Sequence, residues 1–242
     1  MDIEIKNLKM FNDLAFVAHS AKVSGIDNNM SDKEIFNMIL DNDYSSALEH
    51  IIFTFEIHGL SKGNSAELLE HRIASHTGRS TRYINETDFD FVISPIVSEI
   101  LKKYNIAEQD YKKMLKNKNV QLYSPTKRDR EIIELFSHSI YATENIYKSL
   151  IELKVPKESA RYVLPFSIHT AYTYTINLRS LINFLGLRLC VRASPEMRCL
   201  ATNIYIKIRT LFPQIDSMWC RGYNNTVCPE NEVRDSLQGK EC

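Results

Sequence analysis

Between His71 and Tyr83 the chain reads HRIASHTGRSTRY, thirteen residues that hold Arg72, Arg79, Arg82, His71, Ser75, Ser80 and Tyr83 with one glycine and no proline. Forked guanidinium donors beside short hydroxyl donors are the combination that holds a phosphate or carboxylate in a fixed orientation. A solvated basic loop has the same composition, since runs of charge usually face water. A second polar concentration lies between Pro156 and Ala201, where PKESARYVLP, TAYTYT, INLRSLINFLGLR and RASPEMRCLA follow one another. There Arg179, Asn183 and Arg188 mark one polar face of an otherwise apolar helical segment. The chain has no glycine-rich dinucleotide fingerprint, no phosphate-loop Gly-Lys-Ser or Gly-Lys-Thr, and no Gly-x-Ser-x-Gly elbow. No cysteine sits in either polar cluster as an activated thiolate would.

Composition limits the partners. Thirty basic and thirty acidic residues give a formal net charge of zero, whereas a nucleic-acid module carries a marked basic excess; phosphate recognition, if present, is local. No run of apolar residues is long enough to span a membrane, and MDIEIKNLKMF lacks the basic start and apolar stretch of a signal peptide. The expectation is a cytoplasmic protein with no membrane or nucleic-acid partner. The five cysteines form no close metal-ligand pair, no metal site is expected, and their odd number in a reducing compartment argues against a disulfide framework.

The elements that must carry these residues are legible in part. Ile3 to Met10 reads as a strand and Phe16 to Lys22 as a helical piece, and Ser31 with Glu34 forms a capping box for a helix through Leu40. From His50 to His58, Ile51, Phe53, Phe55 and Ile57 alternate with Ile52, Thr54, Glu56 and His58, the period of a strand with one buried face. His50 itself reads either as a catalytic base or, with more weight, as a structural hydrogen-bonding histidine beside Glu49. The helix-prone run SAELL (Ser65 to Leu69) then places the basic residues at a helix C-terminus and the loop after it, on a sheet edge. Pro95 opens a helix to about Tyr104, Asp110 to Lys118 is a lysine-rich amphipathic helix, and Arg128 to Lys154 is a long packing helix. Pro156 starts a short helix that delivers Arg161 and stops before Pro165. Ile168 to Ile176 reads as a strand, Leu178 to Leu189 as a helix, and Ser194 caps a last helix through about Leu211. The expected organisation is one domain over 1–212 and a polar tail over 213–242 whose composition predicts partial disorder.

HRIASHTGRSTRY resembles the signature of the flavin-dependent thymidylate synthases, which runs Arg-His-Arg, two residues, Ser, four residues, Ser, one residue, Arg-Tyr. His71, Arg72, Ser75, Ser80, Arg82 and Tyr83 match it. The first Arg does not: Glu70 stands in its place, and Thr77 and Gly78 stand where Asn-Glu is usual. The second block is similar to the same family at Arg161, Pro165, Asn177, Arg179, Ser180, Asn183, Arg188, Glu196 and Arg198, and SSALEH (Ser45 to His50) agrees more weakly. Tyr44 stands where the family often has His.

The resemblance implies an α+β fold with a largely antiparallel twisted sheet flanked by helices, assembled as a homotetramer with sites shared between subunits. It implies methylation of dUMP at carbon 5 to give dTMP, with FAD supplying the hydride, methylenetetrahydrofolate and NADPH as co-substrates, and no protein nucleophile attacking the base. By that likeness Glu67, Ser80, Arg82, Arg161 and Arg188 bind dUMP, and Arg188 favours negative charge developing on the pyrimidine. Ser24, Ser46, Glu49, His71, Arg72, Ile73, Asn177, Arg179 and Asn183 line FAD. Glu70 puts a carboxylate where the family has a cation beside an anionic reduced flavin. If it is not turned onto Arg72 or Arg79, either flavin binding weakens or the reaction has changed. The alternatives are a relative acting on another pyrimidine or transferring another one-carbon group, and a non-catalytic nucleotide-binding homologue with a decayed flavin site.

Overall fold

The computed structural model describes residues 3–42 and 44–217; the polar tail expected from 213 falls outside this range after Ser217. The chain divides into two compact units. A sheet unit comprises 3–58, 66–78 and 171–217, and a helical unit comprises 59–65 and 79–170.

The sheet unit begins with β1 (Glu4–Phe11), α1 (Leu14–Val23), α2 (Asp32–Asp41) and a 3-10 turn over Ser45–His50. The chain continues through β2 (Ile52–Ser61), α3 (Lys62–Leu69) and β3 (Ser75–Gly78), and the unit ends with β4 (His169–Asn177), α8 (Leu178–Arg188), α9 (Pro195–Leu211) and a 3-10 turn at Pro213–Ser217. β2, α3 and β4 each begin in one unit and end in the other. The helical unit holds α4 (Pro95–Lys103), α5 (Glu108–Lys116), α6 (Lys127–Glu152), α7 (Lys157–Ala160) and a 3-10 turn at Arg161–Val163.

The sheet order is β1-β2-β4-β3. β1 pairs antiparallel with β2 and β3 antiparallel with β4. The central pair runs antiparallel as well: Leu178 N donates to Ile51 O, and the hydroxyls of Thr54 and Thr175 lie 3.0 Å apart. The alternation read in β2 is realised, since Ile51, Phe53, Phe55 and Ile57 are all buried while Thr54, Glu56 and His58 are half-buried on the other face. Each such side chain contributes about 1.5–3 kcal/mol by leaving water. Phe55 packs on Tyr174 of the neighbouring strand, and the rings of Phe36 and Phe53 meet Phe212 edge-on at 5.5 and 6.4 Å. Pro213–Ser217 extends this core, because Ile215 is fully buried.

Helix ends follow the caps. Both arms of the Ser31–Glu34 box are formed, and Ser194 accepts from Met197 N at the start of α9. In the helical unit, Ile93, Val97, Ile100, Leu101, Tyr111, Leu115 and Ile133 make a separate small core.

Three expectations need correction. The stretch after α3 is not a loop throughout, because Ser75–Gly78 pairs with Thr175 to Tyr172 as an edge strand. Of the apolar residues of α6, only Ile133 and Tyr147 are buried, while Leu135, Ile146 and Phe136 are exposed; Leu153, just past its end, is exposed too. Cys199, buried in α9, is disulfide-bonded rather than a free thiol, whereas the half-buried Cys190 is free.

Candidate functional site

In the sheet unit the polar residues gather where α3 ends and where α8 ends. α8 starts on Asn177, whose side-chain oxygen accepts from Ser180 N at 2.8 Å. Eleven residues on, the helix closes with Arg188. Its Nε donates to His71 Nε2 at 2.9 Å, and Nη1 donates to Glu67 Oε2 at 2.9 Å. Nη2 lies 3.5 Å from the Glu67 carbonyl oxygen.

Arginine has no lone pair to offer, so His71 must accept through Nε2 and carry its proton on Nδ1. The ring is buried and packs edge-on against Phe184 of α8 at 4.7 Å. Burial first, then the Arg188 charge, then His76 push its pKa down to about 4, so it is neutral at physiological pH. His76 is likewise lowered, mainly by burial, and its ring lies 4.8 Å from that of Tyr174.

The residues expected around FAD lie mostly at the surface of the same unit. Arg72, Ile73, Arg179, Asn183, Ser46, Glu49 and Ser24 are exposed, and Asn177 is half-buried and already serves as a helix cap. Arg72 and Arg179 have no side-chain partner among the described residues, so two guanidiniums are available to an anionic or polyphosphate ligand. Ile73 is 73% exposed and offers an apolar face to a ring. That donor set fits a flavin dinucleotide. Ser24 ends α1, with its hydroxyl donating to Ser20 O, and His50 packs against the Phe16 ring rather than pairing with a carboxylate.

Glu70 is exposed and has no partner among the described residues. Arg79 is not available to it, because its Nε and Nη2 donate to the two carboxylate oxygens of the buried Glu86 at 3.0 and 2.9 Å. The Glu86 backbone N–H in turn donates to the Tyr147 hydroxyl at 3.3 Å. At Gly78 there is no room for a side chain: a Cβ there would lie 2.6 Å from the ring of Tyr172, its partner on β4.

Ser80, Arg82 and Arg161 lie in the helical unit. Ser80 Oγ accepts from Arg82 N at 3.4 Å. Arg82 donates through Nε and Nη2 to Glu158 Oε2 at 3.2 and 2.9 Å, which ties it to α7, the helix that runs directly into Arg161. Arg161 is half-buried and has no side-chain partner among the described residues. Lys157 Nζ donates to Tyr83 O at 2.9 Å. Arg82 and Arg161 are thus brought onto one local structure, with Glu158 as a counter-charge that the sequence alone does not single out. The available signal was its place three residues before Arg161.

A family model described as thymidylate synthase complementing protein matches residues 9–214. The flavin-dependent thymidylate synthase of Sulfolobus acidocaldarius is 32% identical over 210 residues, covering 86% of this chain and 68% of that protein. The one from Sulfurisphaera tokodaii is 35% identical over 189 residues, covering 77% of this chain and 62% of its own length. The chain therefore spans about two thirds of these curated relatives. Among solved structures, flavin-dependent thymidylate synthase ThyX from Helicobacter pylori, complexed with FAD and dUMP, superposes with a TM-score of 0.62 at 25% identity, covering 90% of this chain and all of that one. A second crystal structure of that enzyme with FAD and dUMP gives 0.58 over 85% of this chain.

Proposed function

Because this chain belongs to the flavin-dependent thymidylate synthase family, we propose that it methylates dUMP at carbon 5 to give dTMP. The observation that carries the reading is the family match over 9–214, which takes in both polar blocks. When bound, FAD supplies the hydride, with NADPH as reductant and methylenetetrahydrofolate as one-carbon donor. No protein nucleophile takes part.

The chain's own task is positioning. Arg188 presents guanidinium N–H groups to the pyrimidine, favouring negative charge on the ring as it is activated. Preorganised donors of this kind are worth about 3–4 kcal/mol of barrier. Ser80, Arg82 and Arg161 hold the nucleotide phosphate by charge-assisted hydrogen bonds, and Glu67 completes the dUMP set. Arg72, Ile73, Arg179 and Asn183, with Ser24, Ser46, Glu49 and Asn177, hold FAD, and His71, buried against Phe184, stands behind them.

The catalytic module in this reading is 1–212, followed by 213–242, and it works as a cytoplasmic homotetramer. The large exposed side chains Leu135, Tyr162, Phe166 and Ile73, each more than 70% accessible in the single chain, support subunit contact. Among the described residues no helix is long and apolar enough to cross a membrane.

The test is direct. Purified protein is incubated with dUMP, methylenetetrahydrofolate, FAD and NADPH, and the nucleotide product is analysed by mass. Formation of dTMP that depends on FAD supports the reading; FAD-loaded protein that leaves dUMP unchanged overturns it.

A further inference from the structure

Arg188 is a long, rotamer-rich side chain, and a donor that must wait in one orientation needs something to hold it. In this structure both anchors come from one short segment. Glu67 lies in the last turn of α3, and His71 follows four residues later, just past the helix end. Together they engage three of the five guanidinium N–H groups, through Nε, Nη1 and Nη2. Two N–H groups are left to face a ligand.

We propose that His71 is a positioning residue, whose neutral Nε2 fixes the Nε edge of Arg188 while Glu67 fixes the Nη edge. This rests on the reading of Arg188 as the donor to the pyrimidine. The ring is suited to such a task. Packed edge-on on Phe184 and almost wholly buried, it has one nitrogen committed to Arg188 and little surface to offer a flavin. A protonated imidazole has two donors and no acceptor, so only the neutral form can do this. Its depressed pKa agrees with that requirement. Glu67 adds a second consequence: its carboxylate partly offsets the Arg188 charge before substrate arrives.

Two substitutions of His71, each on two backgrounds, separate this role from a flavin-binding one. His71→Gln keeps an acceptor, His71→Leu removes it, and each is also made on an Arg188→Ala background. Turnover of dUMP at saturating FAD is expected to fall about tenfold to a hundredfold in His71→Leu, the worth of one hydrogen bond to a charged group, and to recover in large part in His71→Gln. FAD affinity, read by flavin fluorescence, should stay within about threefold in both, since neither variant removes a flavin contact in this proposal. On the Arg188→Ala background His71→Leu should change turnover no further, because the two residues act as one unit.

A readout independent of activity is the nitrogen-15 spectrum of the unaltered protein. An unprotonated His71 Nε2 and a slowly exchanging Arg188 Nε–H support the cradle. A protonated Nε2, or an Arg188 Nε–H that exchanges as fast as free arginine, overturns it even if His71→Leu fails to fold. A large loss of FAD affinity with unchanged turnover at saturating FAD, or an equal loss on the Arg188→Ala background, also overturns it. If the unaltered protein makes no dTMP, the functional reading fails, and the spectrum still decides whether His71 holds Arg188.

Discussion

Arg79 belongs to the basic signature stretch, yet its partner makes it structural. Its two donors neutralise Glu86, which is 3% exposed. Removing the guanidinium leaves a buried carboxylate uncompensated, and broken buried pairs of this kind typically lose about 3–5 kcal/mol. Arg79→Ala is therefore expected to lower unfolding stability by that order in urea titration, and Arg79→Lys by less, since it retains the charge but not the fork. Equal stability of Arg79→Ala and the unaltered chain would show that Glu86 finds another partner. Arg82 is the opposite case, because its pairing with Glu158 leaves both side chains about half-exposed. A phosphate on Arg82 must compete with that carboxylate, so Glu158→Gln should tighten dUMP binding by a few fold, the scale of an exposed ion pair. Calorimetry of the variant reads it, and weaker binding would mean that Glu158 orients Arg82 for the ligand instead.

His71 links the residue to the pH dependence of the fold. Its pKa is about 4 in the folded chain and near 6.5 when unfolded. Above pH 6.5 the ring is neutral in both states and contributes nothing to pH dependence. As pH falls below 6.5 the unfolded chain takes up the proton first, so native stability declines until about pH 4, by up to roughly 3 kcal/mol. His71→Gln should flatten that slope in denaturation curves taken between pH 4 and 7. An unchanged slope would assign the titration to other groups.

At the scale of elements, the sequence announces what is local and periodic. β2 shows its alternation, and the capping residues Ser31 and Ser194 mark where α2 and α9 begin. β3 is not announced: SHTG has no apolar alternation and is held by backbone pairing to β4, a partner about a hundred residues away. The clamp on Arg188 is hidden for the same reason, since His71 lies 117 positions from it and no spacing rule connects them. A family resemblance could place both residues near a ligand but could not say that one holds the other. β3 also yields a test of its own. Gly78 has no room for a methyl group beneath the Tyr172 ring, and overpacking of this kind typically loses about 1–3 kcal/mol. Gly78→Ala should lower the melting temperature, and Gly78→Ala with Tyr172→Leu should regain part of the loss. If the single variant is neutral, the ring moves freely.

Across the whole molecule, the long helix α6 poses a problem that a single chain does not solve. Its sequence reads as a packing helix, yet Leu135 is 71% exposed and Ile146 49% exposed. Scattered exposed leucines are ordinary. Here they share one helix with Phe136, and with Leu153 just past its end, so covering them by another copy would remove apolar surface from water. The formal net charge of zero adds no long-range repulsion between copies. A chain whose fold is coupled to assembly melts at a temperature that rises with protein concentration. Light scattering should therefore give a mass several times that of the chain, and Leu135→Glu with Ile146→Glu should reduce it while lowering the melting temperature at a fixed concentration. If the double variant keeps both its mass and its melting temperature, the exposed face of α6 lies outside any subunit contact. The assembly would then have to be built on other exposed side chains, such as Tyr162 and Phe166 near Arg161 in the sequence.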